Sequence, residues 1–401
     1  MTTKRDKQQI IVLGAGYAGL LAALRLAPHA RVTLVDPTDR FTERVRQHEL
    51  AARPATNDLP LASLLRGTGV RHLPQRVTAL DPLARQITTD DGRRLDYDRL
   101  VYALGSRTAV PPGVLSVRSA PRQSAGAPPT GELAPLEAAD ASPRPEPAAP
   151  QVFTAETTPA LCTLTRDRSG SLAVVGGGLT GIELAAEIAE SRPAWDVRLL
   201  TAGELAVGHS TRGRDHVRGV LTALGVRIEE GRTVADPLDV DADAVVWAAA
   251  MVPRTAVAAE AGLALDPASG RVAVDASLRS ISHPEIYAVG DAAAAHSARA
   301  GSLRMGCAAA LPTGSHAATA IIAELRGRAP ERLDFGYLLQ CVSLGRRDGL
   351  VQFVRHDDSP RDRVLTGRTA AWAKERIVRS TVSVMGLARR APDTLGRLPG
   401  F

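Results

Sequence analysis

Two stretches of the chain carry glycines at the spacing G-x-G-x-x-G, which suits the binding of a pyrophosphate. The first, IIVLGAGYAGLLAALRLA, places Gly14, Gly16 and Gly19 between a strand-like apolar run and a helix-like run. The first glycine permits a tight turn, the second lets the backbone approach the phosphates, and the third lets the helix pack on the strand. The helix N-terminus adds free N–H groups and a positive dipole end. The residues predicted to hold this first dinucleotide are Gly14, Ala15, Gly16, Tyr17, Ala18 and Gly19.

The second stretch, LAVVGGGLTGIELAAEIAE, repeats the pattern in the middle of the chain. It also follows an apolar run and opens a helix-like run, so it predicts a second dinucleotide site. Two such sites on one chain predict two nucleotide cofactors that face each other, as when a flavin takes a hydride from a nicotinamide. The residues predicted for the second site are Gly176, Gly178, Leu179, Thr180, Gly181, Glu183 and Thr201.

The strand after each fingerprint ends on a residue that bears on ribose recognition. Asp36 ends VTLVD and can accept hydrogen bonds from ribose hydroxyls. Thr201 ends DVRLLT, where no carboxylate is present to repel a 2′-phosphate. Arg212 and Arg214 downstream could bind that phosphate or be solvated surface charges, and Glu204 could serve the ribose. The nicotinamide cofactor is therefore NADH or NADPH.

The elements that must position these motifs form a duplicated plan. A strand, helix and strand surround each fingerprint, and YDRLVYALGS (97–106) in the first half matches ADAVVWAAAMVP (242–253) in the second. We expect the following segment, 270–293, to return to the first domain and finish its sheet. The prediction is an α/β chain with two Rossmann-like domains, the first of them discontinuous, and a C-terminal α+β segment.

Composition suggests where these parts begin and end. Residues 107–160 are rich in Pro, Ala and Ser without a clear period, which is typical of a flexible insertion. Beyond residue 331 two strand-like stretches precede a basic helical segment around 366–390. The predicted divisions are 1–110 and 266–330 for the first domain, 111–160 for the insertion, 161–265 for the second domain and 331–401 for a C-terminal interface segment.

Overall composition bounds the functional class. A chain of 401 residues suggests two or three domains, and 44% hydrophobic residues fit an ordinary globular protein. The net charge of +6 comes from arginines spread along the chain without interleaved aromatics, so we expect no nucleic-acid partner. Cys162, Cys307 and Cys341 form no C-x-x-C pair, which predicts neither a redox dithiol nor a metal site. This usage, with no visible signal peptide, predicts a cytoplasmic protein.

In its order of motifs the chain resembles the flavoproteins with two dinucleotide-binding domains, which include the pyridine nucleotide–disulfide reductases and type II NADH dehydrogenases. LVYALGS, with Ala103 and Gly105, stands where the family has its A-T-G turn, and Leu104 replaces Thr. IYAVGDAAA, with Gly290 and Asp291, is similar to the second FAD motif. The resemblance implies FAD at the first site, NAD(P)H at the second, and Asp291 bonded to the ribityl or pyrophosphate region.

Two further features qualify this resemblance. VVWAAAMVP is similar to the family's W-x-A-G-x-x-P turn, with Ala250 in place of Gly. The type II NADH dehydrogenase branch is the nearest because no dithiol follows the first helix. The glutamine pair of its quinone-binding members is absent from MGCAAALPTGSHAA (305–318). The resemblance thus implies a FAD-dependent NAD(P)H oxidoreductase whose acceptor is a quinone, a redox protein, oxygen or a small molecule. The alternatives are a FAD-dependent tailoring enzyme of specialised metabolism and a non-catalytic FAD-binding redox sensor.

Several charged residues are candidates for chemistry beside the flavin. In this architecture the segment FTERVRQHELAAR (41–53) runs along the ring, so His48 could donate to the reduced ring or relay a proton. Arg44 or Arg46 could steady negative charge at the flavin N1–C2=O edge. Glu183 could hold the nicotinamide ribose or take part in proton transfer. Ordinary structural roles are the alternative for each, and Cys307 is interpreted as a buried structural thiol.

The C-terminal segment TGRTAAWAKERIVRSTVSVMGLARR combines apolar and basic residues. In type II NADH dehydrogenases the C-terminus docks on a membrane surface, and a basic amphipathic helix suits anionic lipid. This run has few bulky apolar residues, so we favour docking on the protein's own core or on a homodimer partner over membrane contact. The predicted apolar face consists of Ala370, Ala373, Ile377, Val384 and Ala388.

Overall fold

The computed structural model of the chain describes residues 7–53, 59–111 and 150–395. In chain order the strands are β1 (Gln9–Leu13), β2 (Arg31–Val35), β3 (Arg40–Phe41), β4 (Leu59–Pro60), β5 (Arg71–Leu73), β6 (Val77–Asp81), β7 (Gln86–Thr89), β8 (Arg94–Asp96), β9 (Arg99–Tyr102), β10 (Ser106–Thr108), β11 (Gln151–Thr154), β12 (Gly170–Val175), β13 (Trp195–Thr201), β14 (Arg227–Glu230), β15 (Ala244–Trp247), β16 (Met251–Pro253), β17 (Ile286–Ala288), β18 (His296–Ser297), β19 (Gly301–Ser302), β20 (Leu339–Ser343), β21 (Gly349–Val354) and β22 (Pro360–Thr366). The helices are α1 (Tyr17–Leu26), α2 (Gln47–Leu50), α3 (Leu61–Leu65), α4 (Thr158–Asp167), α5 (Leu179–Ser191), α6 (Thr211–Ala223), α7 (Ala256–Glu260), α8 (Cys307–Leu325), α9 (Gly367–Arg390) and α10 (Pro392–Leu395).

The first sheet has the strand order β17-β9-β1-β2-β5, and its strands pair in parallel. β1 is buried from Ile10 to Leu13, which explains its continuous apolar run, and α1 packs on β1 and β2 while α8 packs on α1. The two helices approach closely at Gly314, where a Cβ would overlap the backbone of Ala18. β17 pairs with β9, so the chain returns to this sheet after the second fingerprint, as the sequence predicted.

The second sheet repeats the parallel arrangement with the order β11-β15-β12-β13-β14. Its buried core includes Leu172, Val174 and Ile182, which join β12 to α5. Residues 151–160 were expected in the insertion, but they form β11 and the start of α4. This is a correction to the predicted boundary, because four residues of β11 pair with β15 despite their Pro- and Ala-rich flank. Residues 112–149 of the predicted insertion lie outside the described residues.

A short antiparallel ribbon joins the two dinucleotide units. β10 follows β9 of the first sheet, β16 follows β15 of the second, and the two pair with each other from Ser106 opposite Pro253 to Thr108 opposite Met251. The Trp247 indole donates to the carbonyl of Ala109 at 2.7 Å, which fastens the end of the ribbon. The ribbon therefore places the carboxyl edges of the two sheets beside each other.

The C-terminal segment forms an antiparallel sheet, β20-β21-β22, followed by the long helix α9. α9 packs on β21 and on α1, and its buried residues are Ala370, Lys374, Val378, Met385 and Ala388. The predicted apolar face was wrong at Ile377, which is exposed, because the buried stripe runs through Lys374 and Val378 instead. Among the described residues, no helix is long and apolar enough to cross a membrane.

Candidate cofactor sites

The first fingerprint opens onto a cavity of about 600 Å³ at the carboxyl edge of the first sheet. Its volume lies in the range of small-molecule and cofactor sites. The wall combines the turn after β1, the end of β2, the turn after β9 and the start of α8. The predicted site residues that line it are Gly14, Ala15, Gly16, Tyr17, Ala18, Asp36, Arg44, Ala103, Gly105, Gly290 and Asp291.

The three glycines of the first fingerprint have different surroundings. Gly14 has φ +96°, and a Cβ there would lie 2.5 Å from the carbonyl oxygen of Ala103. A Cβ on Gly19 would overlap the carbonyl oxygen of Gly14, so this glycine permits the helix to pack on the turn. Nothing lies within 4 Å of a Cβ built on Gly16. Gly14 and Gly19 therefore serve the fold, whereas Gly16 faces open space next to the N-terminus of α1.

Two aspartates are held on the cavity wall by protein donors. Asp36 accepts from Ala15 N–H at 2.8 Å through Oδ2 and from Thr38 N–H at 2.9 Å through Oδ1. Asp291 accepts from Ser106 Oγ at 2.6 Å and from Gly306 N–H at 2.7 Å. These bonds fix the carboxylates at the end of β2 and before α8.

Cys307 is the first residue of α8 and lines the first cavity. Burial raises the pKa of its thiol to about 11, and the nearby Asp291 carboxylate adds to the effect. The thiol therefore stays protonated near neutral pH, which disfavours a nucleophilic role for this sulfur.

The second fingerprint has the geometry of the first. Gly176 has φ +128°, and a Cβ on Gly181 would overlap the carbonyl oxygen of Gly176. Nothing lies within 4 Å of a Cβ built on Gly178, the last residue before α5. Leu179 and Thr180 begin that helix, as the sequence predicted. The second turn thus leaves the same open approach for a phosphate as the first.

β13 ends on Thr201, where a ribose-binding carboxylate would be expected. Its side chain lies against Gly177, where a Cβ would be 2.6 Å from the hydroxyl oxygen. Glu204 forms an ion pair with Arg214, so the ribose candidate binds one of the two 2′-phosphate candidates. This arrangement leaves both NADH and NADPH open.

Ala250 departs from the motif that it occupies. It has φ +58°, in the left-handed region that favours glycine, and its carbonyl accepts from Ala109 N–H at 3.1 Å. The turn is therefore the glycine-type turn of the resemblance, built with a strained alanine.

His48 and Glu183 meet each other, away from the first cavity. His48 Nδ1 lies 3.5 Å from Glu183 Oε2, and the two side chains are 4% and 14% exposed. Glu183 also accepts from Ser343 N–H at 3.0 Å and pairs with the Lys374 ammonium. The cluster joins α2, α5, β20 and α9.

The ionisation of this cluster follows from burial and from Lys374. Burial lowers the pKa of His48 to about 4, so the imidazole is neutral at pH 7. Burial alone would raise the pKa of Glu183, but the Lys374 ammonium, with help from the Ser343 N–H, holds it below its usual range. The cluster therefore holds one ion pair and one neutral histidine.

A second cavity of about 470 Å³ lies beside this cluster, between α2, β20 and α9. Its wall includes His48, Ser343, Lys374 and the rim residue Trp372, which is 68% exposed. Neither His48 nor Glu183 is among the residues that line the first cavity. The predicted contact of these two side chains with the cofactors stays a prediction.

Comparison with known proteins agrees with this geometry. The model of the pyridine nucleotide-disulphide oxidoreductase family matches residues 8–314, which include both fingerprints and the Gly290–Asp291 motif. The chain belongs to this family. As a member of the pyridine nucleotide-disulphide oxidoreductase family, it is an NAD(P)H-dependent flavoprotein oxidoreductase with FAD and NAD(P)H as cofactors.

Individual relatives fall on several branches of the family. An NADH dehydrogenase-like protein of Mycobacterium tuberculosis is 29% identical over 84% of this chain and 86% of its own length. A type II NADH:quinone oxidoreductase of Staphylococcus saprophyticus is 36% identical, over only 25% of this chain and 27% of its own length. The sulfide:quinone oxidoreductase structure from Aquifex aeolicus is 17% identical, with a TM-score of 0.69, and covers 96% of this chain and 92% of its own. The last likeness shows the fold alone.

The sequence motifs located the first cavity but missed three of the residues that shape these sites. Ser106 bonds Asp291, Lys374 bonds Glu183, and Arg254 lines the first cavity. Ser106 is the last residue of the LVYALGS motif. Its bond to Asp291 could have been predicted from the pairing of β9 with β17. One sequence feature could have drawn attention to Lys374, because it is one of only three lysines in the chain.

Proposed function

We propose that the chain binds FAD at the Gly14–Gly19 turn and NAD(P)H at the Gly176–Gly181 turn, and that a hydride passes between them. The observation that carries this assignment is the shared geometry of the two turns, each with open space at its middle glycine, Gly16 and Gly178. The β10–β16 ribbon supports it, because it brings the two carboxyl edges together.

The chain's own residues then bind and orient the two cofactors. The FAD supplies a ring that accepts a hydride, and the cofactors carry the redox chemistry while the protein supplies position and electrostatics. The N-termini of α1 and α5 offer N–H groups to the phosphates. Asp36 and Asp291 lie on the cavity wall where they can receive hydroxyl donors, and Arg44 adds positive charge beside Ser106.

We propose a quinone or a small redox protein as the electron acceptor. Support comes from the relatives, since one is a type II NADH:quinone oxidoreductase and another a nitric oxide reductase FlRd-NAD(+) reductase of Salmonella agona, 28% identical over 71% of this chain. We also propose a cytoplasmic location, which the three free thiols support.

An anaerobic titration of the purified yellow protein with NADH and with NADPH tests the proposal. The visible flavin absorbance should bleach with about one equivalent of the preferred nicotinamide, and a panel of quinones, redox proteins and oxygen should then restore it at different rates. A flavin that dithionite bleaches but neither nicotinamide reduces would overturn the proposal and favour the redox-sensor alternative.

A further inference from the structure

The first cavity has a strong excess of positive charge on its wall. Its basic lining residues are Arg40, Arg44, Arg76, Arg107 and Arg254. The acidic lining residues are Asp36 and Asp291, and both already accept hydrogen bonds from protein donors. A cleft lined mainly by one sign of charge concentrates ligands of the opposite sign.

Arg254 is the member of this set that comes from the second dinucleotide unit. It directly follows β16, so the ribbon between the two units delivers it to the first cavity. Its backbone N–H donates to the carbonyl of Gly105 at 2.8 Å, and its carbonyl accepts from the Tyr102 hydroxyl at 2.8 Å. Its Nε donates to the carbonyl of Ser106 at 3.1 Å. These three bonds hold the residue against the turn that carries the family's A-T-G-like motif.

The end of the Arg254 side chain has no acceptor in the part of the chain that the structure describes. No hydrogen bond or ion pair joins its Nη1 or Nη2 to any residue within 7–53, 59–111 or 150–395. Both nitrogens are donors in a fixed fork, the geometry that binds phosphate oxygens in pairs. A half-buried guanidinium held at Nε with its fork free is therefore oriented for a ligand.

The surrounding charges also indicate an anionic occupant. Burial lowers the pKa of Arg254, and Arg44, then Arg76 and Arg107, lower it further. The Glu156 carboxylate raises the pKa of Arg254. Both of its oxygens are already bonded to Thr108, one to the N–H at 2.9 Å and the other to the hydroxyl at 2.8 Å. Like charges placed together cost free energy unless an anion offsets them.

The surroundings of the second fingerprint differ from those of the first cavity. Three arginines around the end of β13 form ion pairs with glutamates, namely Arg214–Glu204, Arg218–Glu230 and Arg232–Glu229. The excess of arginines over carboxylates on the first cavity wall is therefore more than a reflection of an arginine-rich chain.

We propose that Arg254, with Arg107 next to it, binds the diphosphate of the dinucleotide in the first cavity. The inference rests on the proposed function, which places FAD there. Because Arg254 directly follows the ribbon strand β16, a diphosphate bound to it also ties the occupied first site to the second unit. Arg254 is thus a cofactor-binding residue that the glycine motifs do not contain.

Flavin binding by an Arg254→Gln protein tests this inference. The apoprotein, prepared by removal of FAD, is titrated with FAD, ADP and riboflavin. Loss of a charge-assisted bond should weaken FAD and ADP binding about tenfold or more. Riboflavin binding should be unchanged, because riboflavin has no phosphate. Arg254→Lys should lose less than Arg254→Gln, because lysine keeps the charge without the fork. Arg66→Gln, an exposed arginine outside the cavity, is the matched control.

The outcomes separate this inference from the proposed function. A parent protein that binds no FAD would overturn the proposed function itself. A parent that binds FAD, with Arg254→Gln equal to it for FAD and ADP, would overturn the inference alone. Equal weakening for riboflavin and FAD, with a lower thermal midpoint of the apoprotein, would show that Arg254 only holds the ribbon and would also overturn it.

Discussion

Lys374 of the C-terminal helix α9 pairs with Glu183 of α5, the helix that the second fingerprint opens. The two side chains are 9% and 14% exposed, so the pair lies largely away from water. Ser343 and His48 contact the same carboxylate. The C-terminal segment is therefore fastened to α5 through this buried pair, and Arg346 adds an ion pair with Glu187 of the same helix.

Removal of the ammonium should destabilise the protein. Lys374→Met leaves the Glu183 carboxylate buried and unpaired, which typically costs about 3–5 kcal/mol. Urea unfolding followed by circular dichroism should show this loss, and adding Glu183→Gln should recover part of it. Lys7→Met is the control, because Lys7 is exposed and its ammonium donates to the backbone carbonyl of Pro28. Equal stability of the Lys374→Met and Lys7→Met proteins would contradict the role of the pair.

His48 should make stability fall in mild acid. Its pKa is lowered from 6.5 to about 4 in the folded protein, so the unfolded chain binds a proton more readily than the native one. This contribution is fully present above pH 6.5 and is lost as the pH falls towards 4, by about 3 kcal/mol at most. Glu183, whose pKa is also lowered, adds a loss of the same sign at lower pH.

The measurement is the urea midpoint between pH 8 and pH 4.5 for the parent and for His48→Gln. The variant should show a flatter dependence, whereas His296→Gln, at an exposed histidine, should follow the parent. A parent-like slope in the His48→Gln protein would refute the assignment of the effect to His48.

A carboxylate at the end of β13 should discriminate between the two nicotinamides. Thr201→Asp adds a negative charge where the adenosine ribose is expected, so it should repel a 2′-phosphate. We expect kcat/KM to fall at least tenfold for NADPH and much less for NADH, a difference of about 1.4 kcal/mol or more. Thr201→Asn, with the same shape and no charge, is the control. An equal fall for both nicotinamides would place the ribose elsewhere.

The Pro- and Ala-rich stretch should be dispensable for flavin reduction. The Pro-, Ala- and Ser-rich composition of residues 111–150 predicts an insertion that adds little to the apolar core. A chain with 112–149 replaced by a short Gly/Ser link keeps β10 and β11 and should retain FAD and NAD(P)H reactivity. Loss of bound flavin in this chain would show that the stretch is structural.

Local patterns predicted the parts of the fold that depend on near neighbours. The glycine turns, the strands before them and the helices after them follow from residues adjacent in sequence, as at Gly14 and Gly176. Contacts between distant segments were not visible. Lys374 is charged yet lies on the buried face of α9, because its partner Glu183 belongs to another element. β11 was hidden because only four residues pair, beside a low-complexity run.

The Gly178→Val protein tests the central claim, that two cofactors occupy two separate turns. A Cβ at Gly178 meets no protein atom within 4 Å, so valine should leave the fold intact and fill only the space meant for a phosphate. The variant should purify with as much FAD as the parent, bleach with dithionite, and reduce far more slowly with NAD(P)H under anaerobic conditions. Reduction by NAD(P)H at the parent's rate would contradict the account, because the second fingerprint would then not be the nicotinamide site.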